Sequence, residues 1–142
     1  MDKNRVIRKI LWVDDALDGG ALDSEIDELT DQGFVVVQAL NPDEAIRILN
    51  QYKDFVCIVI DVIMPFGNVF TFGDTQNGNL TGFALLKKFA DINIPKVVYT
   101  NVLDESVQAY CAIKNIPYWE KEDFTSDAFV ESIKNYLGIT ND

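Results

Sequence analysis

Phe55-Val-Cys-Ile-Val-Ile-Asp-Val-Ile-Met-Pro65 is the stretch on which the fold turns. Its first six residues, FVCIVI, are apolar without alternation, and they stop at a carboxylate and then a proline. A run this short and this continuous reads as a strand covered on both faces, the centre of a parallel sheet. Asp61 stands at the end of that strand, where a carboxylate is costly unless it is solvated, paired or metal-bound. Four further apolar runs flank it, at residues 6–13, 34–40, 96–100 and 116–120. Helix-like segments separate them, which is the βα alternation of a parallel sheet with helices on both sides.

The helices are read from their ends and their periodicity. Asn41-Pro42-Asp43-Glu44 supplies an N-cap, a proline at the first helical position and a Glu placed for a capping box, so a helix runs to about Tyr52. Thr81 is expected to cap GFALLKKFA, and Ser126 to cap DAFVESIKNYL, which stops at Gly138. Leu103, Val107, Tyr110 and Cys111 set a helical stripe over residues 103–114. The first helix is expected from about Ala21, after Gly19 and Gly20, with Leu22, Ile26 and Leu29 buried. Residues 66–81, FGNVFTFGDTQNGNLT, form an insert much longer than the roughly 2–6 residues of a usual βα loop. Its VFTF alternation and Asn77-Gly78 pair predict a short hairpin arm.

The 142 residues match one domain, 1–142, with 48% apolar residues available for a core. Lys and Arg number 12 against 23 Asp and Glu, a formal charge of −11 that repels phosphate backbones, so no direct DNA binding is expected. Histidine is absent, which excludes imidazole metal sites, Ser/His and Cys/His nucleophiles, and any phosphohistidine on this chain. Cys57 and Cys111 lie in separate apolar segments and read as free buried thiols in a reducing compartment. No leader pattern opens the chain and no apolar run approaches the roughly 20 residues that span a bilayer, so no membrane partner and a cytoplasmic location are expected.

Chemistry-bearing residues fall at the ends of the expected strands: Asp14 and Asp15 after the first, Asp61 after the third, Thr100 in the fourth and Lys121 after the fifth. In an open parallel sheet those ends line one edge, where ligands bind at the topological switch point. Three carboxylates converging there call for a cation, and oxygen ligands without His or Cys suit Mg²⁺ or Mn²⁺. Lys121 adds a further positive charge.

The ordered set LWVDD (11–15), IVIDVIMP (58–65), VVYTN (97–101) and YWEK (118–121) resembles the receiver domains of two-component response regulators, the group that includes the chemotaxis response regulator. The resemblance covers essentially the whole chain. It implies a flavodoxin-like, doubly wound α/β fold with a five-stranded parallel sheet of order 2-1-3-4-5. It implies that Asp61 accepts a phosphoryl group from the phosphohistidine of a kinase or phosphotransfer protein. Asp15, Asp61 and the backbone carbonyl of Ile63 would hold Mg²⁺, Asp14 would hold metal-bound water, and Thr100 and Lys121 would bind phosphoryl oxygens. Movement of Thr100, with Tyr118 filling the space behind it, would be the switch. The helix at 103–114, the fifth strand and the last helix would form the output surface, and a homodimer through that surface is among the assemblies it allows. Beyond self-phosphorylation and self-dephosphorylation on Asp61 no enzymatic turnover is implied. With only GITND after Leu137, a separate output protein is expected.

Three positions depart from the pattern. Receivers usually follow the lysine with a proline joined by a cis bond, but here Glu122 follows; a cis bond there costs about 2.5–4 kcal/mol, so a trans peptide and a different approach of Lys121 are expected. Asn101 is larger than the usual small residue after Thr100 and narrows the site. The insert replaces a short Gly-rich loop. An alternative is therefore a phosphorylation-independent adaptor that keeps the fold and docks a partner through residues 66–81. An aspartyl-phosphate phosphatase of the haloacid dehalogenase type is disfavoured, because Ile63 stands where a second acid is needed.

Overall fold

The computed structural model describes residues 7–139. Five parallel strands form one sheet in the order β2-β1-β3-β4-β5: β1 (Arg8–Val13), β2 (Phe34–Ala39), β3 (Phe55–Ile60), β4 (Lys96–Thr100) and β5 (Tyr118–Glu120). The expected order is thus the observed one. Val6, expected to open the first strand, lies outside the described residues. Val13 pairs with Ala39 on one side and Ile60 on the other, so Asp14 and Asp61 leave adjacent strands side by side. Thr100 pairs with Glu120, which places Lys121 next to the end of β4. The fifth strand is shorter than expected: Asn115 adopts a left-handed turn (φ 59°), and pairing begins only where Val98 N–H donates to the Pro117 carbonyl.

The helices are α1 (Asp23–Asp31), α2 (Pro42–Gln51), α3 (Phe72–Thr75), α4 (Thr81–Lys88), α5 (Glu105–Lys114) and α6 (Ser126–Leu137). Alternate strand residues sort onto two faces, as the period of a strand demands. Leu11, Val13, Ile58, Ile60 and Val98 pack with side chains of α2, α4 and α5. Ile10, Trp12, Cys57, Val59, Val97 and Tyr99 pack with α1 and α6. In that second layer Trp12, Tyr99, Phe129, Phe124 and Trp119 form a string of aromatic contacts with ring centroids 4.2–6.2 Å apart. The two cysteines sit in opposite layers, both free. Burial pushes the Cys57 thiol up to about 12 and the Cys111 thiol up to about 11, so both stay protonated and inert.

Several helix starts differ from expectation by a residue or by mechanism. Asn41 caps α2 by accepting from Glu44 N–H, but the Glu44 carboxylate accepts from Leu40 N–H, one residue earlier than a capping box requires, and this ends β2 at Ala39. Thr125, not Ser126, caps α6 by accepting from Ala128 N–H. Thr81 does not cap α4; its hydroxyl donates to the Met64 carbonyl at 2.7 Å, tying the helix start to the chain beyond β3. Residues 15–19 form a 3-10 turn capped by Asp14, and α1 begins at Asp23 rather than near Ala21. Asp104 caps α5, leaving Leu103 outside the helix and exposed.

The insert holds no hairpin. Thr71 and Asp74 form a reciprocal capping box that starts the single turn α3 across the segment read as alternating. Gln76, Asn77 and Gly78 all carry positive φ and reverse the chain. The buried Thr75 hydroxyl accepts from Gly78 N–H, and Met64 N–H donates to the Gly78 carbonyl, so the insert closes on its own base. At its other end the Asp43 carboxylate, in the first turn of α2, accepts from Asn68 and Val69 N–H at 2.8 and 3.0 Å. Asp43→Ala removes both bonds; the expected cost is about 1 kcal/mol of stability, together with faster proteolytic nicking of residues 66–81 while the sheet stays intact.

Candidate functional site

The carboxylates of Asp14, Asp15 and Asp61 converge at the strand ends, each offering an oxygen within 4.8 Å of the others. Asp14 is fully buried and Asp61 is 8% exposed, whereas Asp15 faces solvent. The Lys121 ammonium donates to Asp14 Oδ2 at 2.8 Å and to Asp61 Oδ2 at 3.4 Å. All peptide bonds among the described residues are trans, as expected beside Glu122. Lys121 nevertheless points inward, because the 3-10 turn Lys121–Asp123 begins directly where β5 ends. The expectation of a different approach by the lysine is thus met in its backbone and not in where its ammonium arrives.

Burial, and next to it the neighbouring Asp61, push the Asp14 carboxyl up to about 6, although Lys121 works against the rise. Burial disfavours the charge on Lys121, yet Asp61 and Asp14 outweigh it and hold the ammonium above the usual lysine value. One ammonium therefore does not satisfy the cluster. A hard divalent cation suits the remaining oxygens, and the three carboxylates, with Ile63 just beyond Asp61, are the groups placed to hold it.

This pH response has a definite sign. Because the Asp14 value is raised in the folded chain, the folded state binds the extra proton between about pH 4 and 6, and its stability falls as pH rises through that window. Asp14→Asn is expected to melt above the parent at pH 7–8 without divalent cations, and to lose that advantage towards pH 5. Added Mg²⁺ should reverse the order at pH 7–8. Melting curves at several pH values, with and without Mg²⁺, read both effects.

Thr100 is fully buried, and its hydroxyl accepts from Val102 N–H at 3.3 Å, which leaves its own proton to donate. Tyr118 O–H donates to the Val102 carbonyl and accepts from Asp104 N–H at 3.5 Å, and the Asp104 carboxylate caps α5. One chain of hydrogen bonds thus runs from Thr100 to the start of α5. Asn101 is exposed.

Sequence reasoning missed Gly82. A Cβ there would lie 2.0 Å from the Asp61 carbonyl oxygen and 2.8 Å from Val62 Cα, so α4 starts flush against the backbone that carries Asp61. Gly82 N–H donates to the Val62 carbonyl in the same contact. A glycine at the head of a helix was the available signal, but its partner lies some twenty residues away along the chain. Also unforeseen is a cavity of about 490 Å³ between Asp15, Ile63 and the insert residues Phe66 and Gly78.

No family model matches the chain, and no curated protein matches it. Solved structures do. A response regulator receiver domain protein (CheY-like) from Methanospirillum hungatei superposes with a TM-score of 0.73 at 21% identity, covering 94% of this chain and 95% of the other. A response regulator from Thermotoga maritima gives 0.70 at 18%, covering 94% and 99%. A response regulator protein from Burkholderia pseudomallei, solved with a phosphorylated aspartic acid, calcium ion and citrate, gives 0.65 at 17%, covering 92% and 69%. The chain therefore has the fold of receiver domains.

Proposed function

We propose that the chain is a phosphoacceptor signalling switch of a two-component or phosphorelay system. The observation that carries this reading is the Lys121 ammonium set between the buried Asp14 and Asp61 carboxylates at the ends of neighbouring strands. Phosphoryl transfer asks little covalent work of a protein and much positioning and charge neutralisation. Asp61 is the acceptor, presented at the mouth of the crevice. Asp15, Asp61 and the Ile63 carbonyl would hold Mg²⁺ or Mn²⁺, with Asp14 holding water beside it, and the cation would supply neutralisation of the transferring group. Thr100 donates its free hydroxyl proton to one phosphoryl oxygen and Lys121 pairs with another.

In this reading the donor is the phosphohistidine of a kinase or phosphotransfer protein, consistent with a chain that has no histidine of its own. Movement of Thr100 toward the phosphoryl group breaks its bond from Val102 N–H. The strain passes through Tyr118 to the Asp104 cap, so the face built by α5, β5 and α6 changes and a separate output protein responds. No helix among the described residues is long and apolar enough to cross a membrane. The deciding experiment incubates the purified protein with Mg²⁺ and phosphoramidate and follows intact mass. Gain of one phosphoryl group on Asp61 is the expected result; no gain, with no response to beryllium fluoride, sinks the reading.

A second reading, a phosphorylation-independent adaptor, draws on one observation: the folded insert exposes Phe72 (63%) and Val69 (42%). Its signature is partner binding that survives Asp61→Asn and is lost on deletion of residues 69–79.

A further inference from the structure

Another cavity, of about 310 Å³, lies at the opposite edge of the sheet from the carboxylates. Leu86, Lys114 and Tyr136 bring the last turns of α4, α5 and α6 to it, and Ile94 and Lys96 bring the start of β4. Because β4 runs from Lys96 to Thr100, about 13 Å of strand separates this cavity from the acidic crevice. Its volume stands at the lower end of the roughly 300–1,000 Å³ of small-molecule sites.

Charge singles the cavity out. On a chain of formal charge −11 it is lined by two lysines, Lys96 and Lys114, and by no Asp or Glu. Lys96 is 9% exposed, and its ammonium donates to the carbonyls of two other wall residues, Ile92 at 2.8 Å and Ile94 at 3.1 Å. An ammonium carries three protons, so one is left over, and among the described residues Lys96 makes no ion pair. A buried cation with only neutral acceptors is unfavourable, and burial presses this ammonium below the usual lysine value. Lys114 is exposed, its ammonium 5.9 Å from the centre of the Tyr110 ring on the same cavity's wall.

We propose that this cavity binds a small organic monocarboxylate with an apolar body. The carboxylate accepts the remaining Lys96 proton and compensates the buried charge, and Lys114 adds attraction from the solvent side. Leu86, Ile94 and Ile116 receive the body. One negative charge is what the site balances. The helix ends that border it are C-terminal, with carbonyls of partial negative charge, and neither a helix N-terminus nor an arginine lines it to hold a dianion such as phosphate. No residue of the carboxylate cluster takes part.

The test titrates benzoate, its neutral counterpart benzamide, and inorganic phosphate into the ¹³C-methyl-labelled full chain, with no Mg²⁺ and no phosphodonor, and follows the Leu86, Ile92 and Ile94 methyl signals. Benzoate is expected to shift them saturably, benzamide to bind about tenfold more weakly, and phosphate to leave them in place. Lys96→Met keeps the length of the side chain and removes its charge, and should weaken benzoate about tenfold, with a melting curve to show that the variant is folded. Lys114→Gln, a surface change, should weaken benzoate about twofold and decides the matter if Lys96→Met does not fold. Asp61→Asn is expected to bind benzoate as tightly as the parent, which separates this site from the phosphoacceptor. Benzamide equal to benzoate, no shift at those methyls, phosphate competing for them, loss of binding in Asp61→Asn, or unchanged affinity in either folded lysine variant overturns the proposal.

Discussion

Asp61→Asn is expected to abolish phosphoryl uptake altogether, with intact mass unchanged after incubation with Mg²⁺ and phosphoramidate under conditions that convert the parent. The amide is nearly isosteric but lacks the nucleophilic oxygen, and removal of a nucleophile in other enzymes costs on the order of 10⁶ in rate. The same substitution leaves the fold in place: Asp61 Oδ1 accepts only from Val62 N–H at 2.8 Å, a bond the amide oxygen can keep. The Lys121 ammonium loses one of two carboxylate partners and retains Asp14. Residual modification of the variant, at Asp14 or Asp15 for instance, would place the acceptor elsewhere in the cluster and refute the assignment of Asp61.

Gly82→Ala is expected to be the most damaging single methyl in the chain. The added carbon meets three backbone atoms of one peptide, the Asp61 carbonyl oxygen and carbon and Val62 Cα, none of which can rotate aside. Overpacking of this kind costs about 1–3 kcal/mol and more where backbone must shift. Better helix propensity of alanine returns only about 1 kcal/mol. A loss of about 3 kcal/mol in chemical denaturation is the expected outcome. Because relief requires the end of β3 to move, Mg²⁺ should also stabilise the variant less than the parent. A variant as stable as the parent would mean that α4 starts farther from β3 than the structure places it.

What the sequence made legible follows from what is local. Strand identity at FVCIVI, the cap at Asn41 and the gathering of Asp14, Asp15, Asp61, Thr100 and Lys121 at one edge all rest on short windows plus the rules of parallel sheets. The insert was misread for the same reason. VFTF alternates like a hairpin arm, yet Thr71 finds Asp74 three residues on, and a capping box outcompetes strand pairing where no partner strand lies alongside. Thr81 looks like a cap until the Met64 carbonyl, seventeen residues earlier, claims its hydroxyl. Gly82 and the cavity at Phe66 depend wholly on such distant pairings. Lys121 shows the converse: its neighbour Glu122 suggested a displaced side chain, but two carboxylates exert a stronger pull on a flexible lysine than the isomer of the next peptide bond does.

The insert is anchored to α2 through Asp43, whereas the hydrogen-bonded chain from Thr100 ends at the cap of α5. Those helices follow β2 and β4, strands separated in the sheet by β1 and β3. The insert's anchor and the hydrogen-bonded chain from Thr100 therefore lie beyond different strands of the same sheet, with no residue in common. A substitution among residues 66–81 therefore leaves every bond of the chain from Thr100 to Asp104 in place.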